Sequence, residues 1–137
     1  MNNINIQKLE DGARNHIVKI AAVLDQGDIS PAAALTVFDP ALNYIDQAAP
    51  TDSAAIDEVE FTIQDGIDVF LWWDAPVPVL VMPLTGRSKM IWNQIYNNAG
   101  PGTSGKLLLS TVGASPGQVF AFTVEITLHK TRITITQ

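Results

Sequence analysis

The chain contains no cysteine among its 137 residues. Disulfide bonds, cysteine-ligated zinc and thiol catalysis are therefore excluded, and the fold must be stable without cross-links. A domain of this length hides roughly two-thirds of the surface that its unfolded chain would expose, which is enough for a substantial core. The length thus indicates one domain that is held together by apolar packing.

Charge is scarce, and positive charge is the scarcer sign. Charged residues make up 16% of the chain, against about 25% in average proteins. Only 8 residues are Lys or Arg, against 14 that are Asp or Glu, so the net charge is −6. Because nucleic acid binding needs clustered Lys and Arg, no nucleic acid partner is expected. The distribution is uneven, with −9 over residues 1–68 and +3 over residues 69–137. If these two halves of the chain occupy different ends of the fold, the molecule has a charge dipole suited to docking on a charged partner. The alternative is that the acidic first half only keeps loops solvated.

Long apolar runs are also missing, since none approaches the 18 residues that a membrane-spanning helix needs. The first fifteen residues lack the basic-then-apolar pattern of a secretory signal. The sequence therefore predicts synthesis in the cytoplasm and no membrane partner.

Recognisable catalytic motifs are absent as well. The two histidines, His16 and His129, both lie in strand-like segments, and there is no HExxH motif. The segment Gly113-Ala114-Ser115-Pro116-Gly117 matches G-x-S-x-G by letters, but a nucleophile elbow must open a helix and here a strand pattern follows, which favours a plain β-turn. The order of Gly105-Lys106 and its neighbours is wrong for a phosphate-binding loop. We expect no enzyme activity and no cofactor. No residues are nominated as metal ligands, although the sequence leaves a weak Ca²⁺ site in a loop open.

What the sequence does contain is alternation of apolar and polar residues with period two. In residues 118–128 the side chains of Phe120, Phe122, Val124, Ile126 and Leu128 share one face. Similar patterns, separated by Gly and Pro, predict further strands at residues 14–24, 32–38, 56–63, 104–112 and 132–136. The fold class predicted is an all-β antiparallel β-sandwich, either jelly-roll or immunoglobulin-like, with at most one short helix at residues 39–48.

Two organisational features follow from the same pattern. Residues 56–63 and 67–74 flank Asp65-Gly66, a pair typical of tight turns, which predicts a β-hairpin. Residues 1–10 are interpreted as an N-terminal arm and residues 11–137 as a single sandwich domain. In the arm, Ile4 and Ile6 alternate with Asn, so the arm is predicted either to add as a strand to a neighbouring subunit or to pair within its own sheet.

The segment 67–74 is the most informative about contacts. One face carries Ile67, Val69, Leu71 and Trp73 and is expected in the core, while Phe70 and Trp72 lie on the other face between two aspartates. Either both faces are covered, or Phe70 and Trp72 are exposed anchors for another subunit, because Trp is enriched at interface hot spots. Because Pro76 and Pro78 cannot donate ladder hydrogen bonds, residues 75–79 are predicted at a sheet edge or bulge.

A second candidate contact is the loop between residues 97 and 106. Its small residues allow close approach of another backbone, and its amides can hydrogen-bond a partner. The alternative is an ordinary long connection between strands. The residues predicted to contact a partner there are Asn97, Asn98, Thr103 and Lys106.

Residues 56–130 resemble a family of small virion proteins of tailed bacteriophages, of the kind that decorate or cement the capsid. The segments that carry the resemblance, in order, are Trp73-Asp74-Ala75, Asn97-Asn98-Ala99-Gly100, Ser104-Gly105-Lys106, Thr111-Val112-Gly113 and His129-Lys130. The resemblance implies a non-enzymatic structural protein on the outer head surface of the virion, with the major capsid protein as partner. It also implies possible assembly as a homo-oligomer, either a trimer or a dimer.

Two rival functions stay open from the sequence. A phage tail, neck or fibre-base component would share the fold and differ in its partner. A carbohydrate-binding β-sandwich module would use aromatic residues as a sugar-stacking platform, for which the candidates are Tyr44, Trp72, Trp73, Trp92 and Tyr96.

Overall fold

The computed structural model describes residues 2–11, 15–39, 53–96, 98 and 103–131. These residues form nine strands and a short 3-10 turn at Pro31–Ala33. The strands are β1 (Asn3–Asp11), β2 (Asn15–Gln26), β3 (Leu35–Phe38), β4 (Ser53–Ile63), β5 (Asp68–Trp73), β6 (Val79–Leu84), β7 (Arg87–Ile95), β8 (Leu107–Val112) and β9 (Pro116–Thr131).

The strands form two antiparallel sheets. The five-stranded sheet has the order β1-β2-β9-β4-β7, and the four-stranded sheet has the order β3-β8-β5-β6. Strand β2 pairs with β9, β3 with β8, β4 with β7 and β5 with β6. The strands before β5–β6 thus pair in reverse order with the strands after it, as in a long hairpin that is rolled into two sheets. This pairing is the jelly-roll arrangement. The predicted β-sandwich is confirmed, and of its two suggested arrangements the jelly roll is the one observed.

The core lies between the sheets, where the alternating apolar residues meet. On the five-stranded sheet, Ile20 lies opposite Val124 and Val18 opposite Ile126, and all four side chains are fully buried. The four-stranded sheet contributes Leu71, Trp73, Leu84, Leu107 and Leu109. Burying each large apolar side chain contributes about 1.5–3 kcal/mol, so the alternation pattern accounts for the stability of a chain without cross-links.

The predicted hairpin between residues 56–63 and 67–74 is wrong. A turn does occur at Asp65-Gly66, but β4 and β5 belong to different sheets. Strand β4 is already paired with β7 on one side and β9 on the other, so it has no free edge for β5. The chain therefore crosses from one layer to the other at this turn.

The N-terminal residues form the edge strand β1, which pairs antiparallel with β2. Of the two alternatives for the arm, pairing within its own sheet is the one observed. Pro76 and Pro78 lie in the connection between β5 and the edge strand β6, as their missing N–H groups predicted. The predicted helix beyond Asp39 and the predicted strand at 132–136 lie outside the described residues. Within the described ranges, no helix is long and apolar enough to span a membrane.

The two oppositely charged halves of the sequence do not occupy different ends of the fold. Strand β9 lies between β2 and β4, so a strand of the second half is flanked by two strands of the first. The rolled pairing interleaves early and late strands in both sheets. The dipole suggested by the sequence required the two halves to be separated in space, and the fold does not separate them.

Candidate interaction surface

The outer face of the four-stranded sheet is largely apolar. Because β5 buries Val69, Leu71 and Trp73, its alternate residues Phe70 and Trp72 point away from the core. The register places apolar neighbours beside them: Pro83 is opposite Phe70, and Leu80 and Leu108 lie on either side of Trp72. We call this surface the outer apolar face, and it comprises Phe70, Trp72, Leu80, Pro83, Leu108 and Val112.

Several members of the outer apolar face are substantially exposed. Leu80 is 44% and Val112 51% exposed, and Pro83 is also exposed, while Phe70, Trp72 and Leu108 are half-buried. None of the other described strands packs on this face, since the second sheet covers only the opposite side. Contiguous apolar surface of this kind marks contact sites on proteins.

Trp72 is held in a fixed orientation on this face. Its Nε1–H donates a hydrogen bond to Oγ of Ser110 at 2.8 Å. Ser110 lies opposite Phe70 in the register, and its side chain is completely buried although it is on the outer side of the sheet. The rings of Phe70 and Trp72 are tilted against each other with centroids 6.3 Å apart. The indole therefore presents a pre-ordered apolar surface, with its one polar group already satisfied.

A depression of about 220 Å³ lies beside Trp72, and its lining is mostly apolar. It is bordered by Pro31, Ala34, Trp72, Pro78 and Leu108. Ser30 helps to position Pro31, because its Oγ accepts a hydrogen bond from the Ala32 N–H at the start of the 3-10 turn. Ligand pockets usually measure about 300–1,000 Å³, so this smaller depression suits one inserted side chain of a protein partner.

The loop after β7 is fastened to the end of β5. The Asp74 carbonyl accepts from Thr103 Oγ1 at 2.6 Å and from the Ser104 N–H at 3.2 Å. The Asp74 carboxylate accepts from Ser104 Oγ at 2.6 Å, and the Asp74 N–H donates to the Lys106 carbonyl at 3.0 Å. Thr103 and Lys106, which the sequence nominated as partner contacts, thus take part in the internal structure of this loop.

The outer face of the five-stranded sheet has a different character, because a row of charges crosses it. In the register, Lys19 lies opposite Glu125, Glu125 opposite Glu60, and Glu60 opposite Lys89. Lys89 Nζ also forms an ion pair with Glu58 at 2.8 Å. The hydrogen bond and charge of Glu58, followed by the charges of Glu60 and Glu125, raise the pKa of Lys89 above its ordinary value.

The two histidines lie at adjacent register positions at one end of β2 and β9. His16 is opposite Leu128 and points into the core, where it is 1% exposed and meets the Phe38 ring edge-on at 5.1 Å. His129 is opposite Asn15 and lies on the alternate side of its strand. Among the described residues, no group of three or more His, Asp or Glu side chains is placed to hold a metal ion.

The residues nominated from the sequence do not converge on one site. Phe70 and Trp72 lie on the outer apolar face, whereas Ile4 and Ile6 lie on the edge strand of the other sheet. Asn98 is exposed, and Asn97 lies outside the described residues. Sequence reasoning missed Leu80, Pro83, Leu108 and Val112, because only the cross-strand register brings them beside Trp72.

One residue of the predicted sugar-stacking platform, Trp73, is not at the surface. Trp73 is 1% exposed in the core and offers no surface for stacking. Tyr96 follows β7 of the five-stranded sheet, whereas Trp72 lies on the other sheet. Tyr44 and the Trp92 side chain lie outside the described part of the chain.

Comparison with protein-family models, with curated proteins and with solved structures gives no significant match to this chain. Function must therefore be argued from the surfaces themselves.

Proposed function

We propose that this chain is a non-enzymatic structural protein that binds a neighbouring protein subunit through its outer apolar face. The assembly that we propose is the head of a tailed bacteriophage, which the chain decorates by binding the major capsid protein. The observation that carries the proposal is the exposed apolar surface built around Trp72, whose indole N–H is already bonded to Ser110.

The chemistry of this surface favours a protein partner. Interface hot spots are enriched in Trp, and they lie in well-packed patches from which water is excluded. Trp72 is central in the outer apolar face, with Leu80 on one neighbouring strand and Leu108 on the other. The depression beside it accommodates a side chain from the partner. A rigid sandwich with such a face is suited to repeated, identical contacts, in which many weak sites act together.

The resemblance to small phage virion proteins supports the choice of assembly. Two of the segments that carry it, Trp73-Asp74-Ala75 and Ser104-Gly105-Lys106, contact each other through the hydrogen bonds of Asp74. Residues that are distant in sequence thus form one structural unit. Jelly rolls occur in viral capsid and lectin domains alike, so the fold alone does not select the function.

The test is protein mass spectrometry of purified particles produced by the genome that encodes this chain. We expect the chain to co-purify with heads at a fixed ratio to the major capsid protein. Its presence only in separated tails would support the tail or neck alternative and contradict capsid decoration. Its absence from particles, together with a change in Trp fluorescence on adding sugars, would support the carbohydrate-binding alternative.

A further inference from the structure

Strand β1 is an exposed edge of the five-stranded sheet, and its residues 3–7 lack the features that block strand edges from pairing. We propose that two copies of this chain pair through β1, as adjacent antiparallel strands related by a two-fold axis normal to the sheet. The inference concerns a different surface from the outer apolar face and does not depend on the phage assignment.

The three other edges that the described strands form each carry a feature that discourages pairing. Strand β3 has only four residues, and its register is irregular. Strand β6 contains Pro83 and a bulge opposite Leu71/Trp72. Strand β7 carries Arg87 and Lys89. Short length, proline, bulges and basic side chains are the devices by which natural proteins protect strand edges.

Strand β1 has none of these over residues 3–7. Residues 3–8 pair with β2 in unbroken register, and the first irregularity comes after Lys8. The strand contains no proline, and Lys8 is the one basic residue in it. The backbone groups on its outer side are thus arranged as a regular template for another strand.

The start of β1 is fixed to its own sheet. Asn2 Oδ1 accepts from the backbone N–H groups of Asp25 at 2.9 Å and Gln26 at 3.0 Å. Asn2 Nδ2 donates to the Gly27 carbonyl at 3.3 Å. Strand β1 is therefore a pre-ordered edge, so pairing does not require a loose segment to become ordered.

The sequence of β1 is complementary to itself in an antiparallel pair. Asn3, Asn5 and Gln7 point outward opposite outward residues of β2, and Ile4, Ile6 and Lys8 point inward. A two-fold axis normal to the sheet keeps inward residues inward. The axis must therefore lie midway between one residue of β1 and the same residue of the second copy. With the axis at Asn5, Asn3 lies opposite Gln7 and Ile4 opposite Ile6, which is a favourable cross-strand arrangement. With the axis at Ile6, Asn5 lies opposite Gln7, and Ile4 lies opposite the aliphatic part of Lys8.

Charge also permits this pairing. With the axis at Ile6, the two Lys8 residues are four positions apart along the paired strands, or about 13 Å. That separation exceeds the screening length of about 8–10 Å at ordinary salt, so their repulsion is weak.

A second copy would also cover apolar surface that this sandwich leaves open. Among the described residues, a cleft of about 340 Å³ lies between β1, β2 and β3. Ile6 is 41% exposed at this cleft. The lining of the cleft is mixed, and it also includes Lys8, His16, Val18, Thr36, Val37 and Asp39. The inward isoleucines of the second copy lie beside Ile6 in the proposed pair and extend the core across the two-fold axis.

The test uses the absence of native cysteine. Single variants Ile4→Cys, Asn5→Cys, Ile6→Cys and Gln7→Cys are oxidised in the full-length protein, and covalent dimers are quantified on non-reducing gels. Paired residues at the axis have Cα atoms about 4.5–5.5 Å apart, within the range for a disulfide, whereas the same residue one step from the axis lies about 8 Å from its copy. We therefore expect strong cross-linking at one position, Asn5→Cys or Ile6→Cys, and weak cross-linking at its neighbours.

Two cysteine controls and a matched pair of lysine variants complete the test. Val119→Cys reports random collision, and Ile91→Cys reports pairing through β7; both residues are exposed. Sedimentation of Ile6→Lys, beside Ile91→Lys, should show at least a tenfold weaker dimer for Ile6→Lys alone, because it adds an inward charge at the axis or one residue from it. The proposal is overturned if the native chain sediments as a monomer at every concentration, if β1 cross-links no better than Val119→Cys, or if Ile91→Cys is the position that cross-links.

Discussion

At the scale of single residues, the carboxylate of Asp28 organises the turn between β8 and β9. Its Oδ1 accepts from Thr111 Oγ1 at 3.0 Å and from the Ala114 N–H at 2.8 Å, and its Oδ2 accepts from the Gly113 N–H at 3.2 Å. No local pattern in the sequence indicates this role, since the partners of Asp28 are more than 80 residues away in the chain. Side-chain contacts of such long range are not visible in local sequence patterns.

We expect Asp28→Ala to lower the free energy of unfolding by about 2 kcal/mol. The substitution removes hydrogen bonds to a charged acceptor and leaves the N–H groups of Gly113 and Ala114 without that acceptor. The matched control is Asp68→Ala, which removes the same charge from an exposed position on β5 and should change stability by about 0.5 kcal/mol or less. Urea unfolding of the two variants measures the difference. Equal losses would show that Asp28 acts only through its charge.

Gly113 and Gly117 form a second matched pair in the same region. Both have positive φ, 104° and 87°, which alone costs an alanine about 1–2 kcal/mol. A Cβ on Gly113 would also overlap the carbonyl oxygen of Gly66, whereas a Cβ on Gly117 meets nothing within 4 Å. Gly113→Ala should therefore destabilise by about 3 kcal/mol or more and Gly117→Ala by about 1–2 kcal/mol. Thermal and urea unfolding would contradict this if the two variants were equally stable.

At the scale of elements, long alternation of apolar and polar residues correctly predicts where strands lie. Strands β2 and β9 were expected at residues 14–24 and 118–128, and they pair with each other at the centre of the large sheet. Alternation works here because each strand has one buried and one outward face. The turn Ser115–Gln118, predicted from Pro116-Gly117, is closed by a hydrogen bond from the Gln118 N–H to the Ser115 carbonyl at 3.1 Å.

The partners of each strand were harder to predict than the strands. The Asp65-Gly66 pair indicated a reversal of the chain, but not whether the next strand stays in the same sheet. Phe70 and Trp72 are predictable as outward residues, because alternation within β5 places them on the face opposite to Trp73. Leu80 and Leu108 join them only through the β5–β6 and β5–β8 registers, and no local signal in the sequence specifies those registers.

The charge row on the large sheet gives a pH-dependent prediction. The pKa of Lys89 is raised mainly by Glu58, so its ion pair stabilises the fold at pH values below about 10.5 and is lost as the pH rises through the raised pKa. We expect Glu58→Gln to bring the pKa of Lys89 back towards its ordinary value, and Glu60→Gln to shift it less. NMR titration of the Lys89 side chain measures both shifts. Identical midpoints in the native chain and Glu58→Gln would contradict the assignment.

At the scale of the whole molecule, the jelly roll presents two outer faces of opposite character. One sheet exposes a row of charges centred on Glu60 and Glu125, and the other exposes the apolar surroundings of Trp72. Because the sandwich fixes these faces on opposite sides, the molecule can present one to a partner and the other to solvent. This polarity is the physical basis of the proposed role as a protein that binds an assembly without catalysing a reaction.

The most direct test of that role compares Leu80→Glu with Ile91→Glu in particle binding. Both substitutions place a carboxylate at an exposed apolar residue of an edge strand, but Leu80 lies on the outer apolar face and Ile91 on the other sheet. Each purified variant is added to heads that lack the native chain, and its bound copies are counted by quantitative mass spectrometry. The account predicts at least a tenfold loss of affinity for Leu80→Glu and near-native binding for Ile91→Glu. Native binding by Leu80→Glu, with both variants folded, would contradict it.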